Sequence, residues 1–385
     1  MESLDRFAAD KLAALERRAQ RRRLQLTDRY APARARRNGR DLISLCCNDY
    51  LDLSHHPDVI EAAVAALRRY GAGSGASRLV TGNHPLFAEL EARLARIKGT
   101  AAACVFGSGY LANVGIIPTF AGERDLIVAD ELCHACLFSG SRLSGAALHV
   151  FRHNDLAHCA QILAHERGRH PRCLILTDGV FSMDGDLAPV AELAELAERH
   201  DAWLLTDDAH GIGVVGGGRG SSFAAGRKLP IALQMGTLSK AVGGYGGYLC
   251  ASEPVIDFVK TRARSLIYST GLPPATVGAA IAALHLIETD TQLIERPLRN
   301  ARRFTRLLNL PEPQSCIVPI ILGDETRTLE ASARLEQAGF LVTAIRPPTV
   351  PAGTARLRFT FTAGHEDAQI DDLAAAVRAL LADGP

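Results

Sequence analysis

This chain of 385 residues has little lysine and almost no net charge. Its 43 basic residues nearly balance its 42 acidic ones, leaving a formal net charge of +1. Without a strong positive excess a protein is not built to neutralise a phosphate backbone, so we predict no nucleic-acid partner. Only five of the basic residues are lysines, namely Lys11, Lys98, Lys228, Lys240 and Lys260. A lysine in apolar surroundings therefore needs an explanation.

The chain also lacks a convincing membrane segment. Between Lys228 and Glu253 the only charged residue is Lys240, but this apolar stretch is interrupted by glycines and by that central lysine. Both features argue against a membrane span. The N-terminus has no apolar core of the kind found in signal peptides. We therefore predict a soluble, cytoplasmic protein in which Lys240 is a buried lysine.

Disulfides and metal sites are not indicated either. The nine cysteines are odd in number and lie mostly in apolar runs, which is typical of reduced thiols. The segment Cys133–Cys136 reads Cys-His-Ala-Cys, but no second Cys/His pair follows at ligand spacing, so we predict no metal. With 47% hydrophobic residues and no short repeat, the chain has ample material for a large core.

The pattern of apolar runs predicts three regions: a basic N-terminal arm at residues 1–45, a large α/β domain at 46–285 and a smaller α+β domain at 286–385. In the arm, Leu4, Phe7, Leu12 and Leu15 roughly follow a helical period. The large domain alternates strand-like and helix-like stretches, which favours βαβ units and a mostly parallel sheet of seven strands. Its strand-like runs are Ala102–Phe106, Leu126–Ala129, Leu148–Phe151, Cys173–Thr177, Trp203–Thr206, Ile231–Met235 and Gly247–Ala251.

Polar residues follow four of these strands, at the edge where open α/β sheets bind their ligands. The first strand leads to Gly107-Ser108-Gly109-Tyr110 and a helix start, where backbone N–H groups can hold a phosphate. The other three lead to Ser182, to Asp207 with His210, and to Thr237 with Lys240. We therefore expect a phosphate site, hydroxyls, a carboxylate, a histidine and a lysine to meet at one edge.

This set of groups indicates pyridoxal 5′-phosphate (PLP). Burial lowers the pKa of a lysine, so its neutral amine becomes available as nucleophile and base. An aspartate can keep a pyridinium nitrogen protonated, and the helix start can hold the phosphate. Two weaker interpretations remain. Gly211–Gly216 fits the dinucleotide pattern G-x-G-x-x-G but does not directly join a strand to a helix, and Thr237-x-x-Lys240 lacks the companion motifs of penicillin-binding enzymes.

At these residues the sequence resembles the α-oxoamine synthases, a branch of the fold-type-I PLP enzymes, over nearly its whole length. The matching stretches are Asn48–Leu51, Gly73–Arg78, Gly107–Tyr110, Asp207–Gly211, Thr237–Lys240 and Arg346–Pro351. The resemblance implies a large PLP-binding domain with a mostly parallel seven-stranded sheet and a smaller C-terminal domain. It also implies an obligate homodimer whose sites lie at the subunit interface.

The resemblance further implies a role for each matching residue. Lys240 would carry PLP and act as acid and base, Asp207 would pair with the pyridine nitrogen, and His134 would stack on the ring. The remaining cofactor contacts would come from His210, Ser182, Gly109, Tyr110 and Thr237, together with Ser269 and Thr270, which reach the site of the neighbouring subunit. The substrates would contact Arg21, Asn48, His134, Arg346 and Thr349, and Arg22 could exchange roles with Arg21.

Within the family, the segment that begins at Arg346 is similar to members that join L-alanine to a pimeloyl thioester with loss of CO2, a step of biotin synthesis. Coenzyme A or acyl carrier protein could carry the pimeloyl group, and the basic arm could dock an acidic carrier. Three alternatives are a glycine C-acyltransferase, a PLP aminotransferase and a PLP-binding regulator without catalytic activity. The last would require a fused DNA-binding module, and none is visible before residue 45.

Overall fold

The computed structural model describes residues 2–382, and none of the helices in that range is long and apolar enough to cross a membrane. The helices are α1 (Glu2–Arg17), α2 (Pro57–Tyr70), α3 (Leu86–Lys98), α4 (Gly109–Phe120), α5 (Ala135–Ser144), α6 (Leu156–Glu166), α7 (Val190–Arg199), α8 (Glu253–Arg262), α9 (Arg264–Ile267), α10 (Pro274–Thr289), α11 (Thr291–Leu307), α12 (Glu325–Gln337) and α13 (Asp367–Ala382). The strands are β1 (Asp28–Ala31), β2 (Arg34–Arg37), β3 (Arg40–Ser44), β4 (Ala102–Phe106), β5 (Leu126–Asp130), β6 (Ala147–Phe151), β7 (Cys173–Asp178), β8 (Trp203–Asp207), β9 (Leu233–Thr237), β10 (Gly247–Ala251), β11 (Ile317–Gly323), β12 (Phe340–Leu341), β13 (Thr343–Ile345) and β14 (Ala355–Thr360).

The chain forms two compact units. The larger unit contains Asn48–Arg299 and Gln314–Cys316, and the smaller contains the residues up to Cys47, Asn300–Pro313 and the residues from Ile317 onward. This division differs from the predicted limits at 45 and 285. The arm belongs to the smaller unit because its strand β3 pairs with β12 from the C-terminal part of the chain.

The larger unit is built on a seven-stranded sheet with the strand order β4-β10-β9-β8-β7-β5-β6. All neighbouring strands are parallel except that β10 runs antiparallel to both β4 and β9. Both faces of the sheet are covered: Ile127 and Leu205 belong to one hydrophobic cluster, and Val128 and Leu204 belong to the other. The predicted seven-stranded, mostly parallel sheet is therefore confirmed, and the strand ends differ by at most two residues.

The smaller unit contains two sheets around a separate core. Strands β11, β14 and β13 form an antiparallel sheet, and β1, β2, β3 and β12 form a second sheet. The core is centred on Phe304, whose ring lies 5.0 Å from that of Phe359 and 5.1 Å from that of Phe361. This arrangement agrees with the predicted α+β region.

The hairpin formed by β2 and β3 was not predicted. Its turn is Asn38-Gly39, and both residues have positive φ angles, 52° and 76°. Asn-Gly is the dipeptide that favours such two-residue turns, because both of its residues tolerate positive φ. The signal was therefore present in the sequence, but the surrounding arginines of the arm do not form the apolar alternation by which strands are usually recognised.

The larger unit contains a buried ion pair that the sequence did not reveal. Lys98, the last residue of α3, has a fully buried side chain whose ammonium group lies 2.6 Å from Oδ2 of Asp208. The same group donates to the carbonyl oxygen of Arg219 at 2.7 Å, and Asp208 also accepts the backbone N–H of Ser221. The pair therefore joins the end of α3 to the loop that follows β8.

Removing the cation of this pair is expected to destabilise the protein. In Lys98→Met the Asp208 carboxylate would stay buried without its ammonium partner, so we expect the free energy of unfolding to fall by about 3–5 kcal/mol. Urea unfolding followed by circular dichroism measures this loss. The matched control is Lys11→Met on the exposed helix α1, which should change stability by less than about 0.5 kcal/mol. Equal stability of the two variants would contradict a stabilising role for the Lys98–Asp208 pair.

Candidate active site

A cavity of about 160 Å³ lies at the carboxyl edge of the parallel strands in the larger unit. Seven of the predicted site residues line it: Gly109, Tyr110, His134, Asp207, His210, Thr237 and Lys240. They come from the ends of β5, β8 and β9 and from the start of α4, as expected for parallel strands whose carboxyl ends meet at one edge. Ser108, Cys136, Asp178, Ala209, Met235 and Ser239 complete the lining. None of them was assigned a site role from the sequence, although Ser108 lies in the predicted phosphate-binding turn and Ala209 and Ser239 lie in matching stretches.

The start of α4 forms one wall of the cavity. Ser108 caps this helix, since its side chain accepts the backbone N–H of Leu111. The first N–H groups of a helix have no acceptor within the helix, so they are suited to bind an anion. Two glycines make this wall compact. A Cβ atom at Gly247 would lie 2.4 Å from the carbonyl oxygen of Ser108, and one at Gly109 would lie 3.3 Å from the Met235 side chain.

Two carboxylates lie next to each other on the floor of the cavity. Asp178 and Asp207 end the neighbouring strands β7 and β8 and are paired in register. Oδ2 of Asp207 accepts a hydrogen bond of 2.7 Å from the side-chain amide of Asn113, and Oδ1 accepts the N–H of Ala209. Burial and the carboxylate of Asp207 raise the pKa of Asp178 well above its ordinary value. Asp178 therefore favours its protonated form.

His134 lies at the rim of the cavity and caps helix α5. Its Nδ1 accepts the backbone N–H of Cys136 at 3.3 Å and lies 2.8 Å from the Cys136 sulfur. Burial lowers the pKa of His134 and the nearby Lys240 lowers it further, whereas Asp207 acts in the opposite direction. The net effect is a lowered pKa, so the imidazole favours its neutral form.

His210 is held by a residue that the prediction did not include in the site. The hydroxyl of Tyr50 lies 2.6 Å from Nδ1 of His210, and both side chains are buried. Tyr50 lies in the matching stretch Asn48–Leu51, from which the resemblance implies a substrate contact for Asn48 alone. This hydrogen bond positions the His210 ring at the wall of the cavity.

Lys240 is less enclosed than the sequence suggested. It was expected to be buried because its sequence neighbours are apolar, but its side chain is half-buried and lines the open cavity. That expectation was wrong, because the carboxyl edge of the sheet opens to solvent beyond β9. Of the five lysines, Lys98 is the fully buried one.

Near Lys240, the hydroxyl of Thr237 donates to the carbonyl oxygen of Gly246 at 2.7 Å and lies 2.8 Å from the hydroxyl of Ser239.

Four predicted residues of the larger unit do not line this cavity. Ser182 lies in the turn after β7, and Asn48 precedes the buried Tyr50. Ser269 and Thr270 follow α9, and Thr270 forms an isolated bridge with Ser77. Their roles stay predictions, and those of Ser269 and Thr270 concern a second subunit.

The predicted substrate residues of the smaller unit line a different cavity, of about 760 Å³, which includes Arg21, Arg346 and Thr349. The guanidinium of Arg346 donates to the carbonyl oxygen of Ala19. Arg22, rather than Arg21, contacts the predicted acyl-site threonine, since its Nη2 lies 2.9 Å from Oγ1 of Thr349. Arg21 instead pairs with Glu16 at 3.1 Å. The cavity has a strongly cationic lining suited to carboxylates.

His153 joins two loops that carry predicted cofactor contacts. Its Nδ1 lies 3.1 Å from Asp130, at the end of β5, and its Nε2 lies 2.8 Å from Asp186 in the loop after β7. The first loop leads to His134 and the second contains Ser182. Burial by itself lowers the pKa of His153, but the hydrogen bonds to the two carboxylates outweigh it and raise this pKa to about 10. The charged imidazolium therefore stabilises both loops at neutral pH.

Comparisons with known proteins agree with this geometry. Residues 40–377 match the family described as aminotransferase class I and II. The chain is 66% identical over 342 residues to the 8-amino-7-oxononanoate synthase of Methylocella silvestris, an alignment that covers 89% of this chain and 97% of that protein.

Two solved structures are similar to the chain. One is a variant serine palmitoyltransferase from S. paucimobilis with a bound PLP–myriocin aldimine, with a TM-score of 0.86, 34% identity and coverage of 92% of both chains. The other is 8-amino-7-oxononanoate synthase from Francisella tularensis, with a TM-score of 0.74, 27% identity and coverage of 88% of this chain and 98% of that one.

The bridge formed by His153 is expected to make stability depend on pH. Its folded-state pKa of about 10 lies above the ordinary value of 6.5, so its contribution is complete below pH 6.5 and is lost as the pH rises through about 10. The stability difference between the native protein and His153→Gln should therefore be largest at pH 6 and shrink towards pH 10.5. Urea unfolding at several pH values measures it. His285→Gln, at an exposed position of α10, is the control, and a constant difference for His153→Gln would contradict the bridge.

Proposed function

The chain belongs to the aminotransferase class I and II family and, within it, to the 8-amino-7-oxononanoate synthases; from this premise we propose that it condenses L-alanine with a pimeloyl thioester, using PLP. The reaction forms a carbon–carbon bond between Cα of alanine and the pimeloyl carbonyl carbon. It releases the thiol carrier and CO2, and it yields 8-amino-7-oxononanoate, an intermediate of biotin synthesis. The enzyme is therefore an acyltransferase rather than an aminotransferase.

One observation carries this proposal: a single cavity contains an amine, a carboxylate and an anion-binding helix start, from Lys240, Asp207 and α4. These three groups fit the aldehyde, the pyridine nitrogen and the phosphate of PLP. The compact wall supports the fit, since a side chain at Gly247 would collide with the backbone of Ser108 and one at Gly109 would press on the Met235 side chain. When bound, PLP supplies an electron sink that stabilises negative charge at Cα of the amino acid.

The residues around the cavity have the following proposed roles. Lys240 Nζ would hold the cofactor covalently until the amine of alanine displaces it, and the freed amine would then take the proton from Cα of alanine and later return a proton to the product. Asp207 holds the proton on the pyridine nitrogen, and the hydrogen bond from Asn113 keeps its carboxylate in place. His134 stacks on the ring, and His210, positioned by Tyr50, contacts the phenolic oxygen together with Ser182.

The phosphate is proposed to bind at the N–H groups of Gly109 and Tyr110. The hydroxyl of Thr237 donates to the carbonyl oxygen of Gly246, so a hydrogen bond from Thr237 to the phosphate requires this hydroxyl to rotate. Ser239, whose hydroxyl lies beside it, is the further candidate donor on that side of the cavity. Ser269 and Thr270 of one protomer would complete the phosphate site of its partner.

The substrates carry carboxylates, and the smaller unit offers arginines for them. We assign the carboxylate of alanine to Arg346 and the pimeloyl chain to the neighbourhood of Thr349, with Asn48 and His134 as further substrate contacts. The contact between Arg22 and Thr349 favours Arg22 over Arg21 for the acyl substrate. Both arginines line the same cavity, so they share its positive potential.

The assembly and location are also part of this proposal. A homodimer would bring Ser269 and Thr270 to the site of the partner subunit. The basic residues of the arm would attract an acidic acyl carrier protein and equally the phosphates of coenzyme A, so the proposal includes both donors. The cytoplasm is the proposed compartment.

A substrate assay tests the proposed reaction. The purified holoenzyme is incubated with L-alanine and either pimeloyl-coenzyme A or pimeloyl-acyl carrier protein, and 8-amino-7-oxononanoate is measured by mass spectrometry and free thiol by absorbance. We expect product, thiol and CO2 in equal amounts with at least one donor. Turnover of only glycine with acetyl-coenzyme A would identify a glycine C-acyltransferase. Formation of pyruvate from alanine without thiol release would identify an aminotransferase.

The site of cofactor attachment can be mapped directly. Borohydride reduction of the holoenzyme followed by peptide mass spectrometry should place the pyridoxyl group on Lys240, because this is the lysine that lines the cavity at the carboxyl edge of the sheet together with Asp207 and the start of α4. Lys240→Ala should remove the adduct and lower kcat by at least about 10⁴-fold, since covalent and proton-transfer roles are lost together. Lys260→Ala on α8 is the control. An adduct on any other lysine would overturn the assignment.

A further inference from the structure

A continuous chain of hydrogen bonds joins His134 to Asp207 beneath the cavity. It passes through Cys136 of α5 and Asn113 of α4, both of which are buried. The side-chain amide of Asn113 lies 2.7 Å from Oδ2 of Asp207 and 3.1 Å from the sulfur of Cys136. The sulfur in turn lies 2.8 Å from Nδ1 of His134. Neither Asn113 nor Cys136 was expected in the site.

The geometry determines which nitrogen of His134 carries the proton. Nδ1 accepts the backbone N–H of Cys136 as part of the cap of α5, at 3.3 Å. A nitrogen that accepts a hydrogen bond cannot carry a proton itself, so the proton of the neutral ring lies on Nε2. The lowered pKa of His134 agrees with a neutral ring.

The thiol of Cys136 supports the same tautomer. Its sulfur accepts one N–H of Asn113, which leaves its own hydrogen for Nδ1 of His134. Burial raises the pKa of this thiol well above its ordinary value, so the hydrogen stays on the sulfur. Cys136 therefore acts as a hydrogen-bond relay, accepting on one side and donating on the other.

The amide of Asn113 determines which atoms donate and which accept along this series of hydrogen bonds. Its two N–H groups are divided between Asp207 and Cys136, and the reversed amide would point its oxygen at the Asp207 carboxylate. Within residues 2–382 the buried Oδ1 of Asn113 has no hydrogen-bond partner. A buried amide oxygen without a hydrogen-bond partner destabilises the fold, so folding alone does not explain an asparagine at this position.

We propose that Asn113 and Cys136 are positioning residues, which hold His134 as the neutral Nε2–H tautomer and tie it to the carboxylate of Asp207. Nε2–H is then the one donor that the ring offers to a ligand in the cavity. The catalytic consequence rests on the proposed function, because it assumes that His134 and Asp207 contact the same cofactor ring. The tautomer itself does not depend on that function and can be measured without cofactor.

The first test is nuclear magnetic resonance of the cofactor-free protein labelled with ¹⁵N-histidine, with His134→Gln identifying the His134 signals. We expect one tautomer, with the proton on Nε2. A proton on Nδ1, or rapid exchange between the two tautomers, would overturn the proposal. This measurement requires neither turnover nor bound PLP, so it stands even if the substrate assay fails.

Two variants at one position then separate hydrogen bonding from packing. Cys136→Ser keeps a donor and an acceptor, so it should keep the Nε2–H tautomer. Cys136→Ala removes the thiol and leaves Nδ1 only the longer backbone N–H contact at 3.3 Å, so a population of the second tautomer should appear and the pKa of His134 should rise. Because one such hydrogen bond is lost, kcat of Cys136→Ala should fall about ten-fold, while KM for alanine should stay nearly unchanged. Cys136→Ser should keep most of the activity.

The matched control is Cys159→Ala, which removes another buried thiol of the larger unit outside the cavity. It should leave the His134 signals and kcat as in the native protein. If Cys136→Ala matches Cys159→Ala in both readouts, or if Cys136→Ser behaves like Cys136→Ala, the relay is refuted. Asn113→Leu provides a second route: it should disturb the His134 tautomer from the far side of the sulfur, and an undisturbed signal would remove Asn113 from the proposal.

Discussion

The parallel arrangement of β5, β7, β8 and β9 is the constraint on which the rest of the site depends. Parallel strands end at the same edge of a sheet, so the residues after their last apolar positions must meet there. In this protein those residues are polar or charged, including Asp178, Asp207, Thr237 and Lys240. The helix start at Gly109 faces the same edge, because β4 leads directly into α4. The chemistry of the cavity is therefore a consequence of strand direction.

Crowding carboxylates at a buried edge is costly, and the structure compensates in three ways. Asp208 is neutralised by the buried ammonium of Lys98. Asp130 is held by His153, which also binds Asp186. Asp207 receives an amide donor from Asn113, while its neighbour Asp178 favours the protonated form. These partners come from elements distant in the sequence, and they keep the loops that carry His134 and His210 in defined positions.

The groups that suit the proposed reaction line two different cavities. The cavity of the larger unit contains the groups that suit a cofactor, and the cavity of the smaller unit is lined by arginines that suit carboxylate substrates. The amine, the proton-holding carboxylate and the anion-binding helix start therefore belong to one compact unit. In the proposed function, substrate choice depends on residues such as Arg22 and Arg346, which are contributed by the arm and the C-terminal segment.

The sequence by itself determined the seven strands, the mostly parallel character of their sheet and the polar residues at their ends, because buried parallel strands are continuous apolar runs and ligand groups follow them directly. It did not reveal Tyr50, Asn113 or Cys136, because a hydrogen-bond partner from another element leaves no local pattern. It also indicated the wrong lysine as the buried one: Lys240 has apolar neighbours in the sequence but lies at an open edge, whereas Lys98 ends an ordinary helix and is fully enclosed. The sequence around a residue shows whether its neighbours along the chain are apolar. Only the packing of distant segments decides whether its side chain is buried and what it contacts.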